Sequence, residues 1–249
     1  MFEANVEKVL GKIGTADLVL DIGGWACPFN RANYVLDAEG FESRGYYEKI
    51  GRPKSQGGDK EHFTKETWIQ RDICDRRPWP FKDKQFDFVI CSHTLEDIRD
   101  PIGVCDEIMR VGKRGYIEIP SREWESCRGL EHHKIVGLSH HRWLIEVEES
   151  QIRFFQKYHI IHSDWRYSFP HSTFTKMSAE RSVQWLFWEG EFSFEEVSIH
   201  GTDMIAKELA QYVERVHPYS KAAQSWGGVT RKISAFTNRV KNRLSKALS

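Results

Sequence analysis

The segment LVLDIGGWACPFNRANYVLDAEG, Leu18 to Gly40, decides the fold. It runs as a nearly continuous apolar stretch, a Gly-Gly turn, and a second apolar stretch that ends in an acid. An apolar run without alternation is the pattern of a strand covered on both faces, as in a parallel sheet. Glycine after such a strand removes the Cβ that would keep backbone away from a ligand. An acid closing the next strand can accept two hydrogen bonds from a ribose-type diol. Only nine residues, Trp25 to Asn33, separate Gly24 from Tyr34. A parallel crossover needs about ten residues or more and usually carries a helix. The spacing therefore predicts a crossover reduced to an extended loop or a single turn, with Trp25 to Phe29 forming part of a ligand's wall.

Outward from this segment, strands and helices alternate. Phe2 to Ile13 reads as an entry helix with Val6, Val9, Leu10 and Ile13 on one face. Strands are expected at Asp17–Ile22, Asn33–Asp37, Thr67–Gln70, Phe86–Cys91 and Gly115–Ile119. Asp100-Pro101 supplies a helix start, an N-cap followed by proline at the first helical position. Ile102, Cys105, Ile108 and Met109 form its inward stripe, and Gly112 its stop. The glycine-rich, charged stretch 39–60 reads as a mobile loop. This alternation predicts an α/β domain with a doubly wound, mostly parallel sheet over residues 1–122. The texture then becomes β-rich. Trp143–Lys157 reads as a hairpin around Glu149-Ser150, and Ser182–His200 as a second strand pair turning at Glu189-Gly190. Asp203–Val216 reads as a helix. Residues 123–228 are expected to complete the same domain as a substrate-side elaboration or lid.

Bulk properties narrow the classes. A chain of 249 residues holds one large α/β domain or one with a modest appendage. No apolar run approaches the eighteen residues of a transmembrane helix, and MFEANVEKVL lacks the basic-then-apolar pattern of a signal peptide. The five cysteines form no close C-x-x-C pair, and Cys91 and Cys105 sit in apolar runs, which points to buried thiols in a reducing cytoplasm. Six of the 36 basic residues fall in Arg231–Ser249, where there is no acid, leaving 30 against 36 acids elsewhere. A nucleic-acid-binding body is therefore not expected. The tail 229–249 is expected to form a basic amphipathic helix with Ile233, Phe236, Val240, Leu244 and Leu248 as its stripe. Two readings stay open for it: peripheral contact with anionic lipid at the inner membrane face, or packing on protein. Oligomeric state is not set by these features.

The residues suited to ligand chemistry follow one another along the carboxyl edge of the expected sheet, where open α/β folds bind. Asp21, Gly23, Gly24 and Trp25 close the first strand, and Asp37 closes the second. In RDICD, Asp72 stands where it would accept from an exocyclic amine, with Ile73 against a purine face. FDFVICSH delivers Ser92 and His93 to the same edge. A nicotinamide site would want G-x-G-x-x-G opening a long helix, and GGWACP does not supply it.

Taken in order, DLVLDIGG, YVLDAE, RDICD, WPFKDKQFDFVICSHTLEDIRDP and EIMRVGKRGYIEIPS resemble class I S-adenosylmethionine-dependent methyltransferases of the small single-domain type. In these a PF-x-D-x-x-FD-x-V run precedes an LEH-like motif. The resemblance spans Asp17 to Ser121, and Trp79 to Pro101 is its most specific part. It implies a Rossmann-like enzyme with S-adenosylmethionine as cofactor. Gly23 and Gly24 would lie under the methionine moiety, Asp37 would bind the ribose, and Asp72 with Ile73 the adenine. Ser92 and His93 would line the substrate side. Sequences of this kind often occur with glycan modification, so O-methylation of a carbohydrate or polar cell-surface precursor is the expected activity. A small-molecule natural-product methyltransferase and a non-catalytic binding protein on this fold are the alternatives. The chain departs from the family at Trp25, where another glycine is usual, and at Asp97, where LEH has histidine.

Methylation of an alcohol requires removal of its proton, and histidine is the commonest base for that task. His93, His140 and His141 are the candidates, the last two in SHHRW beside Arg142 and Trp143 as substrate contacts. Packing is the competing reading for this pair. No metal site is expected: H-x-x-x-H is absent, and HIIH (His159 to His162) in an extended run would aim its imidazoles at opposite faces.

Overall fold

A computed structural model of the protein describes residues 1–51 and 53–217. The tail expected to form a basic helix over 229–249 lies outside the described residues. The chain order is α1 (Glu3–Lys12), β1 (Val19–Ile22), β2 (Tyr34–Asp37), β3 (Trp68–Gln70), β4 (Phe88–Ser92), α2 (Pro101–Val111) and β5 (Arg114–Pro120). There follow α3 (Arg122–Glu125), β6 (Trp143–Glu148), β7 (Gln151–Gln156), α4 (His171–Thr175), β8 (Val183–Glu189), β9 (Ser193–Glu196) and α5 (Thr202–Val216). The main sheet has the order β3-β2-β1-β4-β5-β8. Its first five strands are parallel, and β8 is antiparallel to β5. From β1 the chain steps outward to β2 and β3, then returns to β4 on the other side. The resulting switch point opens a crevice at the carboxyl ends of β1 and β4.

The apolar run of β1, interrupted only by Asp21, has the expected cause. Leu20 and Ile22 pack into one core layer with Val104, Cys105, Ile108 and Val111 of α2. Val19 packs into the other with Val35, Phe88, Ile90 and Val9 of α1. Asp100 caps α2 through Gly103 N at 2.9 Å, with Pro101 at its first position. All five cysteines are thiols, and no helix among the described residues is long and apolar enough to cross a membrane.

No helix forms between β1 and β2. Residues 23–33 make successive turns, with Cys27 N donating to Gly24 O at 3.0 Å and Ala32 N to Phe29 O at 2.9 Å. A plug of aromatic side chains takes the helix's place on the sheet. Phe29 and Ala32, fully buried, pack with Phe63 and Trp68. Phe29 also bridges to Gln56, and Gly57 (φ +78°) lies so close that a Cβ there would sit 2.4 Å from the Phe29 ring. The 39–60 stretch contains two 3₁₀ turns, Phe41–Ser43 and Tyr46–Ile50.

Beyond β5, the β6–β7 hairpin forms around Glu149, which adopts φ +53°. The second expected hairpin does not form. β8 pairs along the whole of β5, whereas β9 joins a separate sheet of order β6-β7-β9, parallel to β7. The composition of the two strands explains their parting. Leu186 and Trp188 of β8 face one core layer while Trp185 and Phe187 pack on the other, so both faces need cover. β9 sends only Phe194 inward.

Arg122, 1% exposed, ties this second sheet to α5. Its guanidinium lies 4.1 Å from the ring centroids of both Phe155 and Tyr212. It donates to Glu146 at 2.9 Å and to Glu208 at 2.5 Å.

Candidate functional site

The Gly23-Gly24 turn sits at the switch point. Gly23 has φ +72°, and a Cβ on it would fall 2.2 Å from Thr94 Oγ1; one on Gly24 would fall 2.7 Å from Asp21 Oδ2. Both positions therefore require glycine, because the turn is pressed onto its own floor. Asp21 accepts from Phe29 N at 2.7 Å. Burial pushes its carboxyl up to about 7; the Phe29 bond opposes the rise and the charge of Asp37 adds to it. Asp37 accepts from Trp25 N at 2.9 Å on Oδ2 and from Glu39 N at 2.7 Å on Oδ1. Burial raises its pKa as well. A carboxylate oxygen has two acceptor positions, so each Asp37 oxygen keeps one for a further donor.

Trp25 does not fill the crevice. With φ +29° and 37% exposure, its indole stacks on Tyr46 at 5.8 Å and meets Tyr47 edge-on at 5.2 Å. The indole replacing the usual glycine thus belongs to an aromatic shelf beside the turn. Asp72, half-exposed, is held by Arg99 Nη1 at 2.6 Å and Cys74 N at 2.9 Å. Burial opposes its charge, but the Arg99 hydrogen bond prevails and holds the pKa below the usual carboxylate range. Ile73 departs from expectation. It is 7% exposed and packed in the core layer, its carbonyl accepting from Trp79 Nε1 at 3.0 Å, so its side chain offers no open face to a purine.

At the end of β4, Ser92 Oγ donates to Glu118 Oε1 at 3.4 Å. His93, in a left-handed conformation (φ +53°), sets Nε2 3.1 Å from the same oxygen and Nδ1 3.5 Å from Glu96 Oε1. Burial disfavours the charged ring, but the hydrogen bonds to Glu118 and Glu96 outweigh it and push the pKa up to about 9. Burial likewise opposes the charge on Glu118, yet the His93 bond carries its pKa down to about 2. Tyr116 OH and Asn5 Nδ2 also donate to Glu118, and Phe2 N donates to its Oε1 at 2.7 Å. Glu118 and Glu96 thus favour the protonated form of the His93 ring, a pull that works against the expected role as a base.

Beside this edge two segments are laced together. Glu96 O accepts from Arg142 N at 2.7 Å and Trp143 N at 3.3 Å, and Trp143 Nε1 donates to Ile98 O at 2.8 Å. The SHHRW segment thereby lies along the LED turn that follows β4. His141 is buried, with Nδ1 2.8 Å from Glu125 Oε2 and Nε2 3.6 Å from Asp97 Oδ1. Burial alone would lower its pKa; the Glu125 hydrogen bond and the charges of Glu125, Glu96 and Asp97 raise it instead. Glu125 is held in turn by Lys157 and by Leu138 N at 3.0 Å. His140 is exposed, with Nε2 3.9 Å from the same Asp97 oxygen and Nδ1 3.6 Å from Glu131. Burial, then the charge of Glu96, raises the pKa of Asp97.

Other expected contacts are placed differently. Arg142 is exposed, but Trp143 is 8% exposed and packs edge-on against Phe154, a core position that offers no surface to a substrate. His159–His162 is a 3₁₀ turn, not an extended run, and His162 Nδ1 accepts from Val136 N at 3.1 Å. Sequence reading missed Glu96, Glu118 and Glu125. Only Glu118 carried a signal: an acid inside the apolar strand GYIEIP.

Residues 51–117 match the family model described as a methyltransferase domain. No curated protein matches the chain. Among solved structures, the chain is similar to an S-adenosylmethionine-dependent methyltransferase from Mesorhizobium loti, at 12% identity over 61% of each chain with a TM-score of 0.36. It is also similar to one from Thermotoga maritima, at 17% identity over 48% of this chain and 52% of that one, TM-score 0.32. The YcgJ protein of Bacillus subtilis is similar at 16% identity over 48% of this chain and 50% of that one, TM-score 0.33. The chain spans about half the length of the first solved structures it matches. Its architecture, a mostly parallel sheet with flanking helices and an antiparallel edge strand, is Rossmann-like.

Proposed function

We propose that this protein is an S-adenosylmethionine-dependent methyltransferase whose acceptor is an oxygen of a carbohydrate or a related polar cell-surface precursor. One juxtaposition carries the reading: the Gly23-Gly24 turn, Asp37 and Asp72 gather at the carboxyl edge of β1, β2 and β3, beside the switch point. These residues fit the cofactor. The turn carries no side chain, Asp37 keeps two acceptor positions for a diol, and Asp72 is an ionised acceptor. When bound, the cofactor supplies an electrophilic methyl carbon on a sulfonium.

The chain's own residues bind, orient and activate the acceptor, and orientation alone can contribute several kcal/mol. Asp97, His140 and His141 converge on the acceptor side, so activation of a hydroxyl is assigned to them and not to His93. The polarity of this side, with Glu131 and exposed Arg142 added, suits a polyhydroxylated acceptor better than an apolar one.

Calorimetric titration with S-adenosylmethionine and S-adenosylhomocysteine tests the reading. Wild type should bind both, and Asp37→Ala should bind at least about tenfold more weakly, since a hydrogen bond to a charged group is worth about 1.5–3 kcal/mol. Failure of wild type to bind either ligand at millimolar concentration would refute the proposal.

A further inference from the structure

We propose that Asp97, His140 and His141 form a site for one divalent transition-metal ion of the zinc type, open on the acceptor side. Its use in catalysis rests on the methyltransferase reading; its existence does not.

The distances carry the inference. Asp97 Oδ1 lies 3.6 Å from His141 Nε2 and 3.9 Å from His140 Nε2, and the three donor atoms all lie within 4.8 Å of one another. These separations are too long for hydrogen bonds. Zinc bonds of about 2.0–2.2 Å at tetrahedral angles put ligand atoms about 3.4 Å apart, so the gap between these donors suits an ion and not a proton. Asp97 Oδ1 is itself buried without a hydrogen-bond partner, as is Glu96 Oε2 on the adjacent residue.

The surroundings agree. A metal-bound imidazole usually has its second nitrogen held by a carboxylate or carbonyl, which fixes its tautomer and aim. His141 has such a partner, and His140 has a carboxylate close by that is not hydrogen-bonded to it. Glu125 stands 2.8 Å from His141 Nδ1, and Glu131, fixed by Ser139 N at 2.9 Å, stands 3.6 Å from His140 Nδ1. The four carboxylates Glu96, Asp97, Glu125 and Glu131 face this cluster, with Lys157 paired to Glu125 and the His93 ring near Glu96. A divalent cation would relieve that concentration of negative charge.

Two imidazoles and one carboxylate select zinc, cobalt or iron(II) over magnesium or calcium, which want oxygen donors. Three protein ligands leave room for another, the pattern of a catalytic rather than a structural site. Because His140 and Asp97 are partly exposed, the open position faces solvent and can take an oxygen of the acceptor. An ion there would polarise a hydroxyl and lower its pKa, which explains why a hydroxyl-bearing acceptor would be drawn to this side. The site escapes a spacing search because Asp97 and the histidine pair come from segments distant in sequence.

The test uses tag-free full chain stripped with chelator, titrated with zinc by calorimetry and with cobalt by visible absorption. One ion should bind per chain, with cobalt developing ligand-field bands. His140→Ala and Asp97→Asn should each weaken binding at least about tenfold, no less than the loss of an outer-shell partner. His132→Ala, on an exposed histidine outside the set, should leave affinity unchanged. Absence of saturable binding, or affinity indifferent to His140→Ala and Asp97→Asn, would overturn the site. Cofactor titration of the same variants separates this outcome from failure of the methyltransferase reading.

Discussion

His141→Ala is expected to lower methyl transfer about 100-fold or more, because it removes one of the three groups assigned to activating the acceptor hydroxyl. S-adenosylhomocysteine affinity should stay nearly unchanged. Three contacts fix the side chain. Glu125 holds Nδ1, Lys157 and Leu138 N hold Glu125, and Nε2 is left aimed at Asp97. A residue kept only for packing would not need its distal nitrogen turned toward an orphaned carboxylate oxygen. The fall should appear in kcat at saturating acceptor, with the thermal midpoint recorded beside it, because a structural residue would lower stability and spare turnover per folded molecule. Unchanged kcat in a folded His141→Ala protein would remove this residue from the chemistry.

Arg122→Ala should have the largest effect on stability. Removing one partner from a buried ion pair typically costs about 3–5 kcal/mol, because the remaining charge is left desolvated. Arg122 touches two carboxylates and lies between two rings, so its loss strands Glu208, weakens the hold on Glu146, and opens a void between Phe155 and Tyr212. Glu146 keeps Arg215 at 3.2 Å and Arg153 at 3.6 Å, which places the expected loss toward the lower end of that range. Urea unfolding gives the value through the shift in midpoint at constant slope. A loss below about 1 kcal/mol would mean that the surface arginines replace Arg122 fully.

The parallel half of the fold was legible because its strands are covered on both faces. Such strands carry a nearly continuous apolar code, as Val19–Ile22, interrupted only at Asp21, and Phe88–Cys91 show. The absent helix between β1 and β2 was legible from residue spacing alone. β8 and β9 were misread as partners because a turn at Gly190 looks the same whether the strands after it pair or part. What separates them is apolar cover on both sides of β8, a tertiary property. The acceptor side was the least legible. His140 and His141 stand out by type, but their meaning comes from Asp97, Glu125 and Glu131, acids that on a polar chain look like ordinary surface residues. Trp143 was misplaced for the converse reason: an aromatic side chain suits a sugar face and a core equally well, and only burial distinguishes them.

The aromatic plug that replaces the first crossover helix also bears on how the molecule folds. A helix forms from contacts three and four residues apart and can appear before the sheet it covers. The contact of Phe29 with Gln56 and Gly57 joins residues far apart in the chain, so replacing the helix by this plug shifts the cover of the edge from local to non-local contacts, the kind that slows folding.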